Sequence, residues 1–514
     1  MLSRSILVFA IFALLAGCAV NPVTGKNELI LVSESQELAI GEEQYAPARQ
    51  AQGGDYVVDR ELTAYISQVG QRLAAVSDRD LPYEFKVLNN SVPNAWAMPG
   101  GKISINRGLL TELKSEAELA AVLGHEIVHA AAKHGAHSMS RGMLLQTAVI
   151  GVALASQGED YANWAQSGAS VGAQLITQKY GRDAERESDH YGMLYMSRAG
   201  YDPQGAVELQ RTFLALQDGG QQNWISGLFA SHPPSQERLQ NNIEMLATLP
   251  PGGESGVERY RAKTAHLMQT KPAYEAFDKG RKALQDKDLN TARSLAQQAI
   301  ALEPKEAIFY GLLGDVEQQD RHLEKAVQQY SKAIDLNPSF FYHYLQRGKV
   351  NQQLNLSTKA EADLKHSAEL LPTADAYYLL GNLSRQAGKL DTAKNYYAKV
   401  AGSSNAIGKQ ALGALVDLDL KDNPAKYLTV ATWQDKKGNI IARISNPTPR
   451  VISGVKLAVD VENAQGRKQR FQVSLPGSVA AESQKLFDLG ITEKLQELKA
   501  KGYSLNIVAA RVAN

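Results

Sequence analysis

A register of 34 residues runs through the second half of the chain. Pro304, Pro338 and Pro372 keep it, as do Gly280, Gly314 and Gly348, and Ala292, Ala326 and Ala360. Three residue types sharing one period leave few folds open. Small residues let paired helices approach closely, proline stops the second helix of each pair, and units of this size bury their apolar faces only by stacking on one another. Gly381 and Ala393 continue the register one residue early, as a fourth, shortened unit. The spacing predicts an α-solenoid over residues 270–405.

These units resemble tetratricopeptide repeats, which implies a concave face for peptides or partner proteins. Among Phe309, Tyr310, Phe340, Phe341, Tyr342, Tyr344, Tyr377 and Tyr378, most are expected between helices and a minority in the groove. After Asp422-Asn423-Pro424 the apolar period changes to two, at Val430–Trp433, Ile440–Ile444, Val455–Val461 and Phe471–Val473. That predicts a small all-β sandwich of immunoglobulin-like type over 424–514, with a short helix near Thr492–Lys499 and a docking or spacer role. A chain of 514 residues is too long for one core, so a multidomain protein is expected.

At the other end, Arg4 precedes an apolar run from Ile6 to Ala16, the length of a signal-peptide core and too short to span a bilayer. Residues 1–17 are read as a leader. Leu15-Ala16-Gly17-Cys18 resembles the bacterial lipobox, which implies cleavage before Cys18 and its acylation. Cys18 is the one cysteine of the chain. Its alternative, a free core thiol, has no core to join at the end of a leader, and a single thiol closes no internal disulfide. Ala19 is not the aspartate that lipoprotein sorting links with inner-membrane retention, which implies a periplasm-facing anchor in the outer membrane. With 55 basic against 54 acidic side chains, no excess charge favours nucleic acid.

Residues 18–265 carry the chemistry. His125-Glu126-Ile127-Val128-His129 is an HExxH in a stretch of helical period, opened by the capping-box pattern Ser115-Glu116-Ala117-Glu118. Imidazoles four residues apart stand about 40° apart around a helix and reach one metal ion, with Glu126 beside them. Leu119, Val122, Leu123 and Ile127 form the expected buried stripe. A catalytic zinc takes three protein ligands and leaves one position open, so this pair is incomplete alone. The extended HExxHxxGxxH is excluded by Ala132 and Gly135. His134 and His137, on a continuing helix, point at the wrong angle and are expected to be exposed or locally hydrogen-bonded. Glu185 and Asp189, four residues apart, offer one carboxylate to a zinc ion and one to the N–H of a ligating imidazole. Their alternative is a solvated, charged helix face. Asn94–Met98 and Lys102–Ile105, broken by Pro99-Gly100-Gly101, alternate as a β-hairpin.

The HExxH at 125–129, Glu185 in an ExxxD with Asp189, and Ser231-His232-Pro233-Pro234-Ser235 with Arg238 together resemble the family-48 metallopeptidases, the HtpX-like and BepA-like gluzincins, over roughly residues 20–265. Asn94–Gly101 is similar to that family's strand beside the cleft. The resemblance implies a mainly α, zincin-type α+β domain with one zinc ion held by His125, His129 and Glu185, and Glu126 as general base. His232 is expected either to donate to the tetrahedral oxyanion or to take the fourth zinc position and hold the enzyme latent. The loop from Asp218 through Trp224 to Phe229 reads as a mobile lid or as an ordinary surface loop. Met143–Ala155 is too short to span a membrane and is interrupted by Gln146, unlike the HtpX type. An edge at Asn94, Ala95 and Trp96 is expected to take an unfolded chain as an added strand. The expected function is a zinc endopeptidase of the cell envelope. It is tethered by lipid and cleaves unfolded or misassembled proteins that the repeats recruit, in outer-membrane protein quality control. The alternative is a non-proteolytic chaperone or adaptor lipoprotein. The intact set His125, Glu126, His129 and Glu185 argues against it, since a retired site has no physical reason to keep its general base.

Overall fold

A computed structural model describes residues 18–142, 180–218, 232–462, 468–490 and 504–513. The leader, the apolar stretch 143–155, the loop 219–229, Ser231 and the helix expected near 492–499 lie outside those residues. The chain divides into two compact units, 1–354 with 369–371, and 355–368 with 372–514. Among the described residues no helix is long and apolar enough to cross a membrane.

The first unit opens with an antiparallel hairpin of β1 (Cys18–Val20) and β2 (Asn27–Leu29). Asn21 closes its turn, because its Oδ1 accepts the N–H groups of Val23 and Thr24 at 3.0 and 3.2 Å. Two helices follow, α1 (Glu34–Ala51) and α2 (Arg60–Ala74). Then comes a sheet of β3 (Glu84–Leu88), β4 (Ala95–Met98) and β5 (Lys102–Asn106). Its order is β3-β5-β4, with β5 parallel to β3 and antiparallel to β4, so the expected hairpin forms and β4 is one of the two edge strands.

Helix α3 (Glu116–Ala131) carries the HExxH. Ser115 Oγ caps it by accepting the Glu118 N–H at 3.0 Å, but the Glu118 carboxylate accepts from Lys114 N, also at 3.0 Å. The capping box is therefore half made. All sixteen residues of α3 are buried, not only the expected stripe. The helix is central: α2, β4, α4 (Arg182–Arg198), α5 (Gln204–Asp218) and α7 (Val257–Gln285) all pack on it. Helix α6 (Gln236–Leu246) packs on α4 and α5. Where α3 meets α4, Gly124 and Gly192 are apposed. A Cβ at Gly192 would stand 3.1 Å from the backbone N of His125. These two glycines bring α4 close enough for its carboxylates to reach the α3 imidazoles.

The helix does not continue as expected. It ends at Ala131, Lys133 takes a left-handed φ of 59°, and a new helical stretch starts at His134. A left-handed residue after a helix reverses the chain direction, which here swings His134 back over the last turn of α3.

Helix α7 runs without interruption through residues 265–270 into the repeats. Helix pairs follow in the 34-residue register: α8 (Leu289–Leu302), α9 (Ala307–Gln319), α10 (Leu323–Leu336) and α11 (Phe341–Gln353). The register has a physical cause. A Cβ at Gly314 would stand 2.6 Å from the Tyr330 ring, so the aromatic of one helix lies on the bare backbone of the other. One hydrophobic core extends through this unit, from Leu62, Ile103 and Leu123 to Phe277, Phe309 and Phe340.

The second unit holds most of α12 (Ser357–Leu370), then α13 (Ala374–Gln386), α14 (Leu390–Ala398) and α15 (Ala406–Asp419). Gly381 meets the Tyr397 ring as Gly314 meets that of Tyr330. Two antiparallel sheets close the chain. One is β11-β7-β6, from Ser483–Asp488, Ile440–Asn446 and Thr429–Gln434. The other sets β8 (Ile452–Glu462) between β12 (Ser504–Val512) and β9 (Lys468–Ser474) with the short β10 (Ser478–Val479). Ile440, Ile444, Leu457 and Ile507 share their core, the layering expected of a sandwich.

Candidate metal centre

Helix α3 supplies His125, Glu126 and His129, α4 supplies Glu185 and Asp189, and the turn before α6 supplies His232. His125 Nε2 lies 3.0 Å from His129 Nε2 and 3.3 Å from His232 Nδ1. Glu185 Oε1 is 3.0 Å from His232 Nδ1 and 3.5 Å from His129 Nε2, and its Oε2 is 3.5 Å from His125 Nε2. One donor atom from each of these four buried residues lies within 4.8 Å of all the others. Imidazole lone pairs and a carboxylate turned on one point in a dry interior repel one another unless a cation joins them. The nitrogen and oxygen donors suit zinc.

The charges around the cluster agree. Burial works against a protonated His125, yet Asp189 and Glu185 outweigh it and raise the imidazole to about 10. Burial would raise Glu185, but His232, His125 and His129 hold it well below the usual carboxylate range. Burial likewise opposes ionised Asp189, and Arg238 overrides it and keeps that carboxyl low. His129 goes the other way: burial holds it well below its ordinary value against the pull of Glu185. The carboxylates thus stabilise positive charge at this point, whether a proton or a metal ion carries it. Glu126 is raised by burial against the pull of His232 and His125. Its Oε1 is 3.5 Å from His232 Nε2, and its Oε2 is buried with no hydrogen-bond partner among the described residues.

Around these six residues stand others. His125 Nδ1 is 3.0 Å from Asp189 Oδ1, and Arg238 grips that carboxylate with Nε at 2.6 Å and Nη2 at 2.7 Å while its Nη1 reaches Glu185 Oε2 at 3.1 Å. His129 Nδ1 is 2.9 Å from His134 Nδ1, and the Tyr180 ring stacks on His129 with centroids 4.0 Å apart. His134 is locally hydrogen-bonded, as one of its expected states had it, but one of its two partners is His129 itself, the other being Glu187.

Ala95 lines a small cavity with His125 and Glu126; Asn94 and Trp96 are buried but do not line it, and Trp96 packs in a separate cluster, edge-on to Tyr45 at 5.8 Å. Cys18 is not among these residues and begins β1. No periodic signal marks His134, five residues from His129 and off its helix face, or Tyr180. Only the break at Lys133, which no glycine or asparagine announces, brings His134 back.

The family model of Peptidase family M48 matches residues 60–245, and that of the Tetratricopeptide repeat matches 307–340 and 374–406. Metalloprotease YcaL of Escherichia coli is 30% identical over 194 residues, 37% of this chain and 74% of that protein. The mitochondrial metalloendopeptidase OMA1 of Schizosaccharomyces pombe is 31% identical over 216 residues, 42% of this chain. The beta-barrel assembly-enhancing protease of Yersinia pestis is 25% identical over 327 residues, 58% of this chain. The chain spans 60% of the length of the OMA1 protein and 66% of the Yersinia one. With its buried donor set on α3 and α4 and its helical repeats behind, the chain belongs to peptidase family M48.

Proposed function

We propose that the chain is a zinc-dependent endopeptidase of the cell envelope that cleaves unfolded or misassembled proteins. The observation that carries this is the buried four-donor cluster with the Glu126 carboxyl beside it, its Oε2 unpaired. His125, His129 and Glu185 would hold the zinc ion, which when bound would supply Lewis-acid polarisation of a peptide carbonyl and a more acidic water. Glu126 takes the proton of the attacking water on its carboxylate and returns it to the leaving amine, and its burial favours holding that proton between the two steps. Asp189, backed by Arg238, orients His125.

For His232 the geometry favours the latch. Its Nδ1 sits among the donor atoms and its Nε2 faces the general base, so it occupies the place a substrate carbonyl would need. Access then requires the residue to swing away.

Strand β4 lies at an edge of its sheet with Ala95 lining the cavity, but all four of its residues are buried rather than exposed, so addition of an extended client there requires the elements that cover it to move. The repeats over 270–405 recruit clients or partner proteins, and the sandwich over 424–514 serves as a docking or spacer module. A leader over 1–17 and a lipid on Cys18 tether the peptidase region, 18–265, to the periplasmic face of the outer membrane. The relation to a protease that enhances β-barrel assembly supports the envelope setting.

The test compares wild type, Glu126→Gln and His232→Ala at equal zinc content on an unfolded protein. Cleavage by wild type, none by Glu126→Gln and faster cleavage by His232→Ala are expected. Lost activity in His232→Ala would assign the residue to oxyanion stabilisation instead. If all three are inert while client binding survives, the adaptor reading replaces the enzyme.

A further inference from the structure

Behind His129 runs a polar chain that the proposed reaction does not use. His129 Nδ1 meets His134 Nδ1 at 2.9 Å, His134 Nε2 meets Glu187 Oε1 at 3.2 Å, and that same oxygen accepts from Asn21 Nδ2 at 3.0 Å. His134 and Asn21 are both buried, Asn21 completely.

The proton positions follow by elimination. His129 Nε2 faces the donor cluster and must present a lone pair there, so its proton sits on Nδ1 and is donated to His134. His134 Nδ1 is then an acceptor, its proton sits on Nε2, and Glu187 receives it. The Asn21 amide N–H also points at Glu187. Reversing one member alone sets two N–H groups or two lone pairs against each other in the interior. The far end of the chain fixes the tautomer at the near end.

Asn21 reaches beyond this chain. Its Oδ1 holds the turn of the β1–β2 hairpin, its N–H donates to Lys26 O at 2.8 Å, and its Nδ2 also reaches Glu28 Oε1 at 3.0 Å. We propose that His134 and Glu187 are positioning residues for His129, and that Asn21 builds the N-terminal hairpin, residues 18–29, into the metal centre, so that the hold on the ion depends on the hairpin being seated. This rests on reading His129 as a metal ligand.

The experiment measures zinc affinity of the full chain by competition with a chromogenic chelator, together with the visible spectrum of the cobalt-substituted protein. His134→Leu, which keeps bulk without bonds, and Glu187→Ala are expected to bind zinc roughly 10–100-fold more weakly. His134→Gln, whose amide can both accept and donate, recovers part of the loss, which a purely structural role would not give. Asn21→Asp keeps the oxygen that holds the turn but puts a second oxygen where Nδ2 donates to Glu187. It is expected to weaken zinc and shift the cobalt spectrum, and, because it sets a carboxylate against those of Glu28 and Glu187, to lower the urea midpoint of the metal-free protein as well. Wild-type affinity and spectrum in His134→Leu, Glu187→Ala and Asn21→Asp would overturn the proposal. Full zinc retained in His129→Ala would instead overturn the ligand reading beneath it.

Discussion

The two imidazoles of the HExxH sit one turn apart on the same helix, yet they are held by different means. His125 gives its Nδ1 proton directly to Asp189, a largely buried carboxylate gripped by Arg238. His129 gives its own to a second imidazole, and only beyond that to the partly exposed Glu187. The electrostatic outcome is opposite: charge raises His125 to about 10, whereas burial prevails at His129 and lowers it. One ligand is held by charge and the other by hydrogen-bond geometry. Changes that remove charge therefore strike the first arm, and changes that remove shape strike the second.

The largest expected effect is at Arg238. Arg238→Ala leaves Asp189 and Glu185 buried without their countercharge, a loss of about 3–5 kcal/mol for one side of a buried pair. The urea midpoint of the metal-free protein measures it, and a midpoint near wild type would show that the first arm is not held by charge. Next comes Asp189→Asn, which keeps the shape and removes the charge. It should weaken zinc by about 10–100-fold, and more than Glu187→Gln, which sits one imidazole further away. Equal losses in the two variants would erase the distinction between the arms.

The first arm was legible in the sequence and the second was not, for a physical reason. His125 and His129, and Glu185 and Asp189, are pairs at helical spacing, so each pair's common face follows from periodicity alone. What joins the pairs is the contact of Gly124 with Gly192, and a glycine that lets two helices touch carries no periodic signal. The His134 expectation assumed an unbroken α3, because a lysine gives no warning of a left-handed turn. Asn21 meets Glu187 across 166 residues, and no local pattern encodes such a contact. The repeats were legible for the opposite reason: Gly314 under Tyr330 and Gly381 under Tyr397 solve one local packing problem again and again, which leaves a period. In the sandwich the alternation marked β6, β7, β8 and β9 but not β10, β11 or β12, and the pairing of β12 with β8 is non-local and left no trace.

A pH series sharpens the charge argument without mutation. In the metal-free protein the raised His125 contributes stability that is fully present below its ordinary 6.5 and lost as pH rises toward about 10. The depressed Asp189 works in the other direction, present above the ordinary carboxylate range and lost as pH falls through its own lower value. Urea unfolding should therefore show stability falling from pH 6.5 to 10, and Asp189→Asn should flatten that slope. A slope unchanged by the substitution would mean that Asp189 is not what holds the proton on His125.

The smallest expected effect belongs to the shape side. The Tyr180 ring covers one face of His129 with the two planes 21° apart, an aromatic contact of about 0.5–1.5 kcal/mol beyond its buried area. Tyr180→Phe preserves the ring and should leave zinc affinity as it is. Tyr180→Leu removes the flat face and should weaken zinc by less than about tenfold, since each 1.4 kcal/mol is one decade in affinity. Because stacking restricts the ring without supplying charge, this loss should be independent of pH between 6.5 and 8, unlike that of Asp189→Asn. A pH-dependent loss in Tyr180→Leu would place electrostatics on the second arm as well, and the two histidines would then differ in degree rather than in kind.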